Sequence, residues 1–145
     1  MGNLSAAKTH RMYSHRRTAG KCSRQDSLWG GSAGARMAAW LGSYGTESFG
    51  EDVYPRPAAV VVNYTGLSEV YGNDPPTYSA VGMNDGIASY RTMERRISAI
   101  KANGTDAEIE IFDGLSHGFG LGTGTIAEGW LGRAVDFWER NMKNE

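Results

Sequence analysis

The stretch Ala58-Ala59-Val60-Val61-Val62-Asn63-Tyr64 constrains the fold of this chain more than any other. Five consecutive apolar residues, three of them β-branched, have no polar alternation. A strand with a solvated face needs that alternation, so this run reads as a strand over 58–64 buried on both faces, the mark of a parallel sheet. Helical signals must then surround it, because parallel strands need crossover connections.

The rest of the chain supplies them. Ser27-Leu28-Trp29 reads as the end of a short strand, and an Ala-rich helix follows over 33–41. A Gly-, Ser- and Pro-rich loop runs to Pro57, and a second loop spans 65–76. Residues 77–82 predict another strand. Ser89 is placed to cap a helix running to about Ala102, with Met93, Ile97 and Ile100 on one face and Asn103-Gly104 as its stop. Ala107 to Phe112 alternates Ile109 and Ile111 against Glu108 and Glu110, a strand with one more polar face. Ala127, Leu131, Ala134 and Trp138 recur at helical spacing and predict a closing helix over 125–143. The expected architecture is α/β: a mostly parallel sheet of about four strands with flanking helices and right-handed crossovers.

Charge divides the chain in two. Residues 1–25 hold six of the fifteen basic residues and none of the sixteen acidic ones, leaving nine basic against sixteen acidic residues in 26–145. The arm has no apolar stripe at helical spacing and no nucleic-acid motif accompanies it. It therefore reads as a poorly ordered leader, 1–25, before a single domain, 26–145, with no nucleic-acid partner. No apolar run approaches the roughly 18 residues of a membrane span, and basic residues interrupt the start before a signal-peptide core can form. Cys22 is the one cysteine, which excludes an internal disulfide and a cysteine metal cluster. These features predict a cytoplasmic protein with no membrane partner and no metal.

In an open α/β sheet, ligands bind beyond the carboxyl ends of the strands. Ser32 follows the first strand, Asp85 the third and His117 the fourth, so a serine, a carboxylate and a histidine arrive at one edge in that chain order. A serine hydroxyl becomes a nucleophile when a base takes its proton. Imidazole suits that task near neutral pH, and a carboxylate holds the imidazole in the useful tautomer. Ser32 lies in Gly30-Gly31-Ser32-Ala33-Gly34, where a sharp strand-to-helix turn strains the backbone and glycines remove side chains that would collide. The N–H of Ala33, at the start of the helix, can donate to a developing oxyanion. Asp113, four residues before His117, is the rival carboxylate.

"WGGSAGARMA", "PPTYSAVGMNDGIA" and "GLSHGFGLGTGTIAEGW" closely resemble α/β-hydrolase-fold serine esterases, above all bacterial esterase/lipase-like enzymes related to carbohydrate and feruloyl esterases. The resemblance covers Asp26 to about Lys143. It implies a carboxylic-ester hydrolase acting on a small-molecule ester with Ser32 as nucleophile, Asp85 as acid and His117 as base, and it implies no cofactor. The family pattern has about eight strands and a His-Gly-Gly-type loop before the nucleophile that gives a second oxyanion donor. No such loop occurs among the 25 or so residues before the first strand. The chain thus resembles the C-terminal half of a hydrolase behind an unrelated leader, as a truncated gene, a frameshift or a fragment would give.

Three functions follow as expectations: an esterase working through an acyl-enzyme, an inactive hydrolase remnant or interaction module, and a peptidase of the same fold. "GGSAGA" lacks both the P-loop ending and the dinucleotide glycine spacing, so an anion-binding loop is the weaker reading. With nothing upstream to pair it, the first strand is expected at an open sheet edge. Leu28 and Trp29 would lack covering helices there, which invites self-association.

Overall fold

The structure, a computed structural model, describes residues 25–50 and 55–142. The basic leader, apart from Gln25, lies outside the described residues, as does Lys143 at the expected end of the last helix. Four strands, β1 (Ser27–Gly31), β2 (Ala59–Asn63), β3 (Thr77–Gly82) and β4 (Ala107–Phe112), pair in parallel in the order β1-β2-β3-β4. Among the described residues three α-helices connect or follow them: α1 (Ala33–Tyr44), α2 (Tyr90–Ala102) and α3 (Trp130–Asn141). Within the loop expected before β2, Thr46–Phe49 forms a short 3-10 helix.

Strand register assigns the faces. Leu28, Val60, Thr77 and Ala107 are register partners on one face, and Trp29, Val61, Tyr78 and Glu108 on the other. On the first face α1 packs Ala35, Ala38 and Ala39 against Leu28, Val60 and Val62, while Ile97 and Ile100 of α2 pack on Ala107. Alanines let α1 lie close to the branched valines, and Gly42 is needed because a Cβ there would stand 2.6 Å from Val60. On the second face α3 places Ala134 and Phe137 over Ala59, Val61, Tyr78 and Ala80. All of β2 is buried, as an apolar run covered on both faces should be.

The stripe Met93, Ile97 and Ile100 is buried as its spacing predicts. Ser89 stands at the N-cap of α2, but its side chain makes no capping hydrogen bond. The closing helix begins at Trp130, five residues later than its periodicity suggests. Gly122, Gly124 and Gly129 take positive φ, and Ala127 N–H and Gly124 N–H bond to Thr125 Oγ1 and Glu128 Oε2, so turns replace the first helical turns. Its buried stripe is Trp130, Ala134 and Phe137, and Leu131 is exposed.

β1 pairs only with β2 among the described residues. The expectation that its apolar faces lack cover fails at Leu28 and in part at Trp29, which is half-buried. Leu28 is buried beneath α1, and the ring of Trp29 lies 6.4 Å from that of Trp130, just ahead of the α3 residues that cover this face. Among the described residues no helix is long and apolar enough to cross a membrane.

Candidate active site

Ser32 sits between β1 and α1 with φ 52° and ψ −119°, a positive-φ conformation that non-glycine residues rarely adopt. Close packing enforces it. A Cβ on Gly30 would stand 2.3 Å from the Gly34 carbonyl oxygen, so the strand and the first helical turn meet backbone to backbone. The Ser32 N–H donates to the Asn63 carbonyl at 3.0 Å, tying the turn to the end of β2. Ala33 is the first residue of α1, where the helical ladder offers its N–H no acceptor.

His117 lies in the loop after β4, and Asp85 in the turn after β3. Ser32 Oγ stands 3.2 Å from His117 Nε2, and His117 Nδ1 stands 2.7 Å from Asp85 Oδ2. With its proton on Nδ1, the ring donates to Asp85 and leaves Nε2 to accept from the Ser32 hydroxyl. The Asp85 side chain is fully buried and that of His117 is 21% exposed, so the carboxylate faces protein while the imidazole opens to solvent. Asp85 Oδ1 accepts the N–H groups of Ile87 at 2.8 Å and Ala88 at 2.7 Å, which orients the carboxylate. Asp113 is exposed, and the Nδ1 contact goes to Asp85.

Backbone packing holds the two loops together. Met83 N–H donates to the Phe112 carbonyl and Asn84 N–H to that of Leu115. A Cβ on Gly82 would fall 2.0 Å from the Leu115 carbonyl oxygen, so the loops bearing Asp85 and His117 touch where Gly82 ends β3. Sequence reasoning passed over Tyr64, whose ring lies edge-on to His117 with centroids 5.2 Å apart. Its position directly after β2 was the available signal, since every other strand end carries a residue of the site.

No protein-family model and no curated protein matches the sequence. Solved structures do match. A sugar hydrolase from Lactococcus lactis aligns over 99% of this chain and 69% of its own, at 20% identity and TM-score 0.71. An acetyl ester-xyloside bifunctional hydrolase from Caldicellulosiruptor lactoaceticus aligns over 79% of this chain and 56% of its own, at 21% identity and TM-score 0.66. This chain has part of the α/β-hydrolase fold. Propionate-bound esterase 2 of Thermogutta terrifontis shares it at TM-score 0.65 and 20% identity, over 82% of this chain and 57% of its own. The chain spans little more than half the length of most of these α/β-hydrolase structures.

Proposed function

We propose that the chain carries the catalytic residues of a serine hydrolase that cleaves carboxylic esters through an acyl-enzyme. The observation that carries this reading is the unbroken run of short contacts from Ser32 Oγ through His117 to Asp85 at the carboxyl edge of the sheet. Ser32 Oγ attacks the ester carbonyl carbon as His117 Nε2 takes the hydroxyl proton, and the carbonyl oxygen becomes an oxyanion facing the Ala33 N–H. His117 then protonates the leaving alkoxide and the alcohol departs. Water attacks the acyl carbon, giving its proton to His117, and the acid leaves as the proton returns to Ser32 Oγ. Asp85 stabilises the imidazolium in both halves. That two of the fold neighbours are an esterase and an acetyl ester-xyloside hydrolase favours an ester over a peptide substrate.

The test is labelling with a fluorophosphonate probe, followed by peptide mapping. Label on Ser32, abolished in Ser32→Ala and strongly slowed in His117→Ala, is the expected result. A folded chain that takes no label overturns the reading.

A second reading, an inactive remnant or interaction module, is favoured by the one-sided pairing of β1. A chain that stays unlabelled while light scattering reports concentration-dependent association through that edge would support it. A labelled, stable monomer would exclude it.

A further inference from the structure

Two non-glycine residues among those described have positive φ, Ser32 at 52° and Tyr64 at 34°. They are neighbours in space. Gly31 and Asn63 are register partners at the ends of β1 and β2, and each strained residue directly follows its strand. The hydrogen bond from Ser32 N–H to the Asn63 carbonyl joins the two turns, and Tyr64 N–H is held in turn by the Ala80 carbonyl at 2.9 Å. A left-handed conformation at a bulky aromatic residue is unfavourable unless its surroundings enforce it, and such strain gathers at functional sites.

The result of the strain at Tyr64 is where its ring stands. The ring meets His117 edge-on at 5.2 Å and 71°, and meets Phe119 at 5.0 Å and 76°. Phe119 in turn packs on Phe112 at 5.7 Å and on Trp130 at 6.4 Å, both buried in the core. At its other end the Tyr64 phenol covers Gly31, where a Cβ would stand 2.9 Å from the hydroxyl oxygen and from the ring. One side chain thus touches the residue before Ser32 and the imidazole that faces Ser32, and is braced by the core behind it.

We infer that Tyr64 is a positioning residue: its ring, held by a strained backbone, fixes the His117 imidazole between Ser32 and Asp85. This rests on the proposed hydrolase reading for its catalytic consequence. The geometric claim does not depend on it. The ring acts through packing, because edge-to-face aromatic contacts have a preferred geometry, so the phenyl body carries the effect and the hydroxyl does not.

Two variants separate this role from a general contribution to folding. Tyr64→Asn removes the ring while keeping a residue that tolerates the left-handed backbone, and Tyr64→Phe keeps the ring. The primary readout is the Nδ1 proton of His117 in histidine-labelled NMR spectra. A hydrogen bond to buried Asp85 shifts this proton far downfield and slows its exchange. The resonance is expected in the parent and in Tyr64→Phe, and is expected to broaden or vanish in Tyr64→Asn with the backbone spectrum otherwise retained. Its absence from the parent, or its persistence in Tyr64→Asn, overturns the inference. The second readout is fluorophosphonate labelling of Ser32. Labelling is expected to slow about tenfold in Tyr64→Asn and to recover in Tyr64→Phe. Where the parent labels, an equal rate in Tyr64→Asn also overturns it. A parent that never labels, yet shows the Nδ1 resonance lost only in Tyr64→Asn, keeps the positioning role and rejects the hydrolase reading.

Discussion

Asp85 and His117 lie 32 residues apart in the chain, yet Oδ2 of one stands 2.7 Å from Nδ1 of the other. The carboxylate reaches the imidazole from a buried seat whose second oxygen is held by two backbone N–H groups. If the three residues act as one unit, in any context where turnover is measurable, Ser32→Ala and His117→Ala should each remove nearly all of it and should not add when combined. Asp85→Asn should lower kcat by roughly 10⁴, less than either, because it spoils the tautomer without removing the base. Asp113→Asn should leave kcat within about twofold, since surface changes away from the chemistry are usually mild. Steady-state hydrolysis of a short-chain p-nitrophenyl ester measures the four single variants and the double.

Glycines at the serine turn answer to different neighbours. Gly30→Ala would drive a Cβ onto the backbone oxygen of Gly34, which cannot yield, so a loss of about 3 kcal/mol or more is expected in urea unfolding. Gly31→Ala first meets the Tyr64 ring and hydroxyl, a side chain that can shift, and about 1–2 kcal/mol is expected. The Gly31→Ala loss should shrink in a Tyr64→Asn background. A cycle of the four proteins should show coupling of at least about 0.5 kcal/mol.

Away from the site, Arg96 and Asp74 form an ion pair at 2.7 Å with both side chains 3% exposed. Arg96 also donates to the Glu69 carbonyl at 2.9 Å, and Asp74 accepts the Tyr71 N–H at 2.7 Å, so the pair pins the loop between β2 and β3 onto α2. Burial pushes the guanidinium of Arg96 below its ordinary value, and the Asp74 charge opposes that shift. Asp74→Asn should cost about 3–5 kcal/mol by leaving that cation unpaired. Arg96→Met with Asp74→Leu should be less destabilising than Asp74→Asn, because Nη1 of Arg96 has no partner among the described residues. Thermal melts of the three proteins decide the order.

Acid stability carries a smaller signature. Arg140 donates to Asp106 from Nε at 2.9 Å and Nη2 at 3.0 Å, and these bonds hold the Asp106 carboxyl below its ordinary value. A carboxyl depressed in the folded state stabilises it above the unfolded value, about pH 3.9, and that contribution fades as pH falls through the folded value. Arg140→Gln should therefore lose stability at neutral pH, by less than about 1 kcal/mol for so exposed a pair, and match the parent at the acid limit. Urea midpoints across a pH series test the sign.

The strands were legible because their signals are local. Val60 to Val62 form an apolar run in any context, and Met93, Ile97 and Ile100 repeat at a spacing that only a helix turns into a face. The start of α3 was not legible from periodicity. Ala127 does reach the core, but from a turn, and the positive φ at Gly124 and Gly129 outweighs the helical spacing around them. At the site, Ser32, Asp85 and His117 could be named because each follows a strand and each is a residue type suited to nucleophilic catalysis. Tyr64 could not. Its importance lies in a backbone angle and a ring contact that exist only after β1, β2 and the His117 loop have met.

The sheet is laid down in chain order, each new strand joining the exposed edge of the last. A growing polypeptide can therefore form the β1–α1–β2 unit, with its strained serine already bonded to Asn63, before the segment bearing His117 has left the ribosome. Until that segment arrives, Ser32 is an ordinary hydroxyl on a tense turn. On the proposed hydrolase reading, chemistry at this edge would wait for the final third of the chain, and an incomplete nascent molecule would hold Ser32 without the imidazole that activates it.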